Sequence, residues 1–188
     1  MNNKNLIKEA KRMQVLAGLI NESESNSQAH IYADKGLLLK VDDATKNLLE
    51  SYPIPKEPKG EIMTKLPKDK LHVTLTSIAN FKNIPYKEKF EMSDIKIPKI
   101  ELGEAKFVYR GENREDRKYM PGGKTTYVVS IKNQDALKKY VDELYNSIGL
   151  SNPEPNRFFH ITLANNAGGD SFQSIGNVDK IDFELWKK

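Results

Sequence analysis

The chain has 188 residues, 38% of them hydrophobic and 30% charged, which is enough for one domain with a buried core. Thirty Lys and Arg against 26 Asp and Glu leave +4 at neutral pH, a bias that suits an anionic ligand but is too small alone to mark a nucleic-acid binder. There is no cysteine, which excludes disulfides, thiol catalysis and cysteine-based zinc sites, and no apolar run reaches the roughly 20 residues of a membrane-spanning helix.

Leu6, Ala10, Met13, Leu16, Ala17 and Ile20 recur at helical spacing with Lys4, Lys8, Lys11 and Arg12 between them, so the chain is expected to begin with a short amphipathic helix. The polar run from Asn21 to Gln28 reads as a linker. The boundary is therefore placed between an N-terminal segment, 1–28, and a domain, 29–188. Gly36 to Val41 predicts a buried strand. Asp42 or Asp43 caps a helix carrying Ala44, Leu48 and Leu49, and Pro53, Pro55 and Pro58 end it in an irregular connection. Leu71 to Ile78 alternates as a strand, and Ile100 to Arg110 predicts another with Gly103 at a bulge. Gly111 to Lys124 reads as a charged, solvated loop.

The order then recurs. Thr125 to Ile131 predicts a strand, and Ala136, Leu137, Tyr140, Val141, Leu144 and Ile148 mark a helix closed by Gly149. Pro153 and Pro155 interrupt the chain, Phe158 to Leu163 alternates like the earlier strand, and Ile181 to Trp186 predicts a last one. Strand, helix, histidine strand, strand thus occurs twice. Val41 precedes His72 by 31 residues and Ile131 precedes His160 by 29. Such a repeat points to a mixed α+β fold of two pseudo-symmetric lobes.

The repeat also carries the chemistry. Leu71-His72-Val73-Thr74-Leu75 and Phe159-His160-Ile161-Thr162-Leu163 both read apolar, His, β-branched, Thr, Leu. On a strand, residues i and i+2 share a face, so His72 goes with Thr74 and His160 with Thr162 while Val73 and Ile161 face a core. Two imidazoles that titrate near neutrality can serve as base and acid, with hydroxyls to hold phosphate oxygens. Phosphodiester cleavage needs that pair, because the attacking and leaving oxygens lie on opposite sides of phosphorus. One His-x-Thr is a weak signal. Two copies on matching strands, using two of only three histidines, are a much stronger one. A zinc site is the poorer reading, with no cysteine and no carboxylate at helical ligand spacing, and no metal or cofactor is expected. His30 is expected at the surface or a strand end.

These paired motifs resemble those of the two-histidine (2H) phosphoesterase superfamily, over residues 30 to 188. The resemblance implies a bilobal fold with one antiparallel sheet per lobe facing a central cleft, helices outside, and metal-independent cleavage by His72, Thr74, His160 and Thr162. Within the superfamily, Gly36-Leu-Leu-Leu39, Phe159-His-Ile-Thr-Leu-Ala-Asn165 and the ending Ile181-Asp-Phe-Glu-Leu-Trp186 are most similar to phage anti-CBASS phosphodiesterases. Those enzymes hydrolyse 3′-5′ bonds of cyclic di- and trinucleotide immune signals. Tyr109, in Phe107-Val-Tyr109-Arg110, matches the stretch that supplies a base-stacking aromatic there, although that residue is usually Trp. Lys70 and Arg157, just before the two motif strands, are further substrate-binding candidates. Leu19-Ile-Asn-Glu22 resembles sites cut by phage prohead proteases, so the expected place is the host cytoplasm or the virion. The expected partner is a cyclic oligonucleotide, with no membrane and no obligate protein partner. The alternatives are an RNA 2′,3′-cyclic or 2′-5′ phosphodiesterase, and a catalytically silent nucleotide-binding module.

Overall fold

Asp42 starts the first helix as its sequence position predicts. Its Oδ1 accepts the Thr45 amide at 2.7 Å, and the helix, α1 (Asp43–Ser51), stops before Pro53 because the residue preceding a proline is pushed out of helical geometry. The computed structural model describes residues 30–33, 36–58, 60–110 and 124–169. The expected N-terminal helix and linker, most of the charged loop and the expected last strand lie outside the described residues.

The strands are β1 (His30–Ala33), β2 (Leu37–Lys40), β3 (Thr64–Lys65), β4 (His72–Thr76), β5 (Leu102–Arg110), β6 (Lys124–Ile131) and β7 (His160–Asn165). Two short helices, α2 (Ile78–Phe81) and α3 (Glu88–Glu91), follow β4, and α4 (Gln134–Asn146) joins β6 to β7. Leu137, Tyr140, Val141, Leu144 and Tyr145 form the buried face of α4. Gly149, at φ +77°, lets the chain reverse so that the Leu150 amide reaches the Tyr145 carbonyl at 3.0 Å.

The described strands form one seven-stranded antiparallel sheet in the order β1-β2-β4-β7-β6-β5, with β3 also on β7. The expectation of two separate sheets is corrected on this point. The halves β1-β2-β4 and β7-β6-β5 meet at one register pair, Val73 with Ile161, and so continue into one another. The palindromic order makes the halves pseudo-twofold copies: hairpin β1–β2, helix α1, strand β4, then hairpin β5–β6, helix α4, strand β7. The unit of the repeat also differs from expectation. The strand at 102–110 pairs with β6, so it opens the second unit and does not close the first. Its counterpart, β1, is too short to show a two-residue period, and β3 hides within the proline-rich connection.

One face of the sheet carries the core. Leu39, Val73, Ile161 and Val129 are paired across adjacent strands, and they form one buried cluster with Leu49 of α1 and the apolar stripe of α4. Gly103 sits where β5 shifts register, as expected. A side chain there would collide with the Ser130 hydroxyl. The motif side chains point to the other face, away from the helices.

Candidate active site

The seam between the halves brings the two motifs together. Val73 lies opposite Ile161 in an antiparallel pair. That is the one register pair between the two strands, and by antiparallel direction His72 then lies toward Thr162 and Thr74 toward His160. Residues directly opposite one another share a face, so the four side chains form a quartet around the Val73–Ile161 pair. His72 and His160 occupy its diagonal, where backbone positions are about 7–8 Å apart. The outer neighbours follow from the flanking strands: Lys40 and Leu38 lie beside His72 and Thr74, and Val128 and Ser130 beside Thr162 and His160.

Each imidazole is held from behind in the same way. The Nδ1 of His72 lies 2.7 Å from the Lys70 carbonyl, and the Nδ1 of His160 lies 3.3 Å from the Phe158 carbonyl. A carbonyl can only accept, so Nδ1 is the protonated nitrogen and Nε2 carries the lone pair when the ring is neutral. Burial lowers the pKa of His72 below 6.5. The Lys70 carbonyl opposes that, and the charges of Lys40 and Arg157 add to it. His72 is therefore kept neutral. His160 is buried, at 7% exposure, beside a small apolar patch of Val108, Val128 and Phe158. Thr74 and Thr162 are partly exposed, and among the described residues neither hydroxyl is held by a hydrogen bond.

The three substrate-binding candidates take other positions. Tyr109 is in phase with Phe107 and Ala105, which pair with Tyr127 and Val129, so it lies on the core face, opposite to His72. There its hydroxyl donates to the buried Glu57 carboxylate, and burial first, then Glu57, raises its pKa. Arg157 is not at a cleft mouth. It is 4% exposed, its Nε donates to the Thr74 carbonyl at 2.8 Å, and its Nη1 donates to Glu154 at 2.6 Å. Lys70 is exposed, with its ammonium 3.6 Å from Asp69, and it meets the site through the carbonyl that orients His72.

Two positioning groups escaped the sequence reading. Glu154 accepts from the Ser77 amide at 3.1 Å, the Ser77 hydroxyl, Asn80 at 2.6 Å and Arg157, and so ties the end of β4 to the segment before β7. Gln134 donates to the Ile131 and Phe159 carbonyls at 2.8 and 2.7 Å and accepts the Phe159 amide at 2.8 Å, fixing the entry to His160. Both act over long sequence separations, so no local pattern marks them. Asn165 shapes the turn after β7, accepting the Ala167 and Gly169 amides at 3.0 Å each.

Among the described residues no three His, Asp or Glu side chains gather as a metal-binding group, and no helix is long and apolar enough to cross a membrane. Family models, curated proteins and solved structures were all compared with the chain, and none matches.

Proposed function

We propose that the chain is a phosphodiesterase of the two-histidine type that opens cyclic di- or trinucleotides by general acid–base catalysis. The observation that carries this reading is the Val73–Ile161 pairing, which sets the two His-x-Thr strands side by side with both motifs flanking one seam. A phosphate seated over that pair meets an imidazole on each side and a hydroxyl beside each imidazole. His72 is the base. Its Nδ1 proton is committed to the Lys70 carbonyl and its environment disfavours the cation, so Nε2 is free to take the proton of the attacking hydroxyl or water. His160 is the acid, which gives its proton to the leaving oxygen as the P–O bond breaks. One proton is taken and one returned, so the enzyme ends with the two histidines in exchanged protonation states, and solvent resets them. Thr74 and Thr162 donate to the non-bridging oxygens as charge redistributes. The preference for cyclic oligonucleotides rests on the motif resemblance. The place of action follows from it: the cytoplasm of a bacterial host, or a virion, against a signalling defence.

The test is a panel of cyclic dinucleotides, cyclic trinucleotides and an RNA ending in a 2′,3′-cyclic phosphate, incubated in EDTA with products read by chromatography. Ring opening that disappears in His72→Ala supports the proposal. Cleavage of the RNA end alone moves the protein to RNA processing, and binding without turnover makes it a nucleotide-binding module.

A pH profile checks the assignment of the base. The neutral form of His72 is the active one, so the acidic limb of kcat/KM is expected below pH 6.5. The same shift has a stability sign. A lowered folded pKa has no effect on stability above pH 6.5, and it destabilises the fold progressively as pH falls from 6.5 through the lowered value. An acidic limb above 6.5 would remove His72 from the role of base.

A further inference from the structure

The pseudo-twofold relates the two histidines, but their neighbours break the symmetry. On β2, Lys40 is the register partner of His72. On β6, the register partner of His160 is Ser130, a neutral hydroxyl that donates to the Glu104 carbonyl at 3.2 Å. The His160 side has its own cation on this face, Lys106, which pairs with Val128 across the strands. That cation is neutralised by Glu104 at 2.7 Å. Lys40 differs. Its ammonium lies 4.8 Å from the centre of the Tyr32 ring, and among the described residues no carboxylate pairs with it. A partly buried ammonium backed only by an aromatic face has lost water without gaining a counter-ion. Among the described residues, the cation beside His72 thus has no counter-ion, whereas the one on the His160 side has.

We propose that Lys40 is an anion-binding residue of the site, which holds a phosphate oxygen on the His72 side and so orients the substrate with its attacking oxygen at His72 and its leaving oxygen at His160. The proposal rests on the phosphodiesterase reading for the word substrate, but the anion site itself does not. Three groups act on His72, Lys40 from β2, Arg157 from the segment before β7 and the Lys70 carbonyl from the turn before β4, and His160 is on the neighbouring strand β7. Arg157 is already paired with Glu154 at 2.6 Å, which leaves Lys40 as the charge a ligand can answer. Burial is the first cause of the lowered His72 pKa and the Lys40 charge adds to it, so an anion bound at Lys40 offsets that added part and couples binding to protonation.

The experiment is an NMR titration of the imidazole C–H resonances with inorganic phosphate as probe. With only three histidines, assignment by single substitution is straightforward. In the wild-type protein phosphate is expected to move the His72 signals. In Lys40→Gln its affinity should fall about 10-fold, the scale of one charge-assisted hydrogen bond, and the His72 midpoint should rise. Lys40→Arg should keep both properties, and Lys106→Gln should change neither. Wild-type phosphate affinity in Lys40→Gln, or an unmoved His72 midpoint, overturns the proposal. The readout needs no turnover. An inactive protein that still shows the Lys40 dependence defeats the phosphodiesterase reading alone, and an active one without it defeats the Lys40 proposal alone.

Discussion

Alanine at His72 or at His160 is expected to lower kcat/KM for ring opening by about 10⁴-fold, and the double substitution to do little more. General acid–base groups contribute about 10²–10⁴ each, and the upper end applies where proton removal and proton donation belong to one displacement. A 10⁴-fold loss is about 5.4 kcal/mol of transition-state stabilisation. The effects are not additive, because once either imidazole is gone the remaining one has no concerted partner. The structure also separates this loss from misfolding. Val73 and Ile161, the seam residues between the motif pairs, are fully buried, whereas His72 lies on the opposite face and is only partly buried. Truncating it removes little packing. Single-turnover rates for the four proteins, read beside their thermal melts, decide the matter. For His72→Ala a melt unchanged within a few degrees with the rate nearly abolished is the expected result; His160 is buried, so the melt of its variant is expected to fall further. Substantial turnover in either single variant sinks the acid–base pair.

The two His–Thr pairs, each on one strand face, were legible because their signal is local. A period of two fixes which side chains share a strand face, and the repeat of apolar-His-β-branched-Thr-Leu shows that two strands do the same thing. The adjacency of those strands was not legible. Strand order is settled by long-range pairing, so the expectation of two facing sheets gave way to a continuous sheet joined at Val73–Ile161. Tyr109 was a different kind of error. Its phase with Phe107 was already visible, and alternation alone assigns both to the core face where they lie. Arg157 had no such warning, since a basic residue three positions after a glutamate is commonplace. What draws it inside is Glu154, and the groups that fix Glu154 include Ser77 and Asn80, 77 and 74 residues away in the chain.

That buried pair carries the largest expected effect on stability. Replacing Glu154 by alanine should destabilise the protein by about 3–5 kcal/mol, because it removes the carboxylate paired with the buried Arg157 guanidinium, whose side chain is 2% exposed. It also orphans the Ser77 amide and the Asn80 side chain that Glu154 now satisfies. For a domain of this size the melting temperature should fall by about 6–20 °C, taking roughly 2–4 °C per kcal/mol. Burial alone would raise the Glu154 pKa. The Ser77 hydrogen bond, the Arg157 charge and the Asn80 bond outweigh it, and the net direction is downward from 4.5. A depressed carboxylate stabilises the fold fully above pH 4.5, and that contribution is lost as pH falls through its lowered folded value. The difference in stability between wild type and Glu154→Ala should therefore be constant at neutral pH and shrink only in strong acid. Arg157→Met with Glu154→Leu should recover much of the loss, since two apolar side chains leave no stranded charge. Denaturant melts of the two proteins and the wild type at pH 7 and pH 3 measure all of this. A Glu154→Ala protein within 1 kcal/mol of wild type at pH 7 would show that the Glu154–Arg157 pair adds little to the stability of the fold.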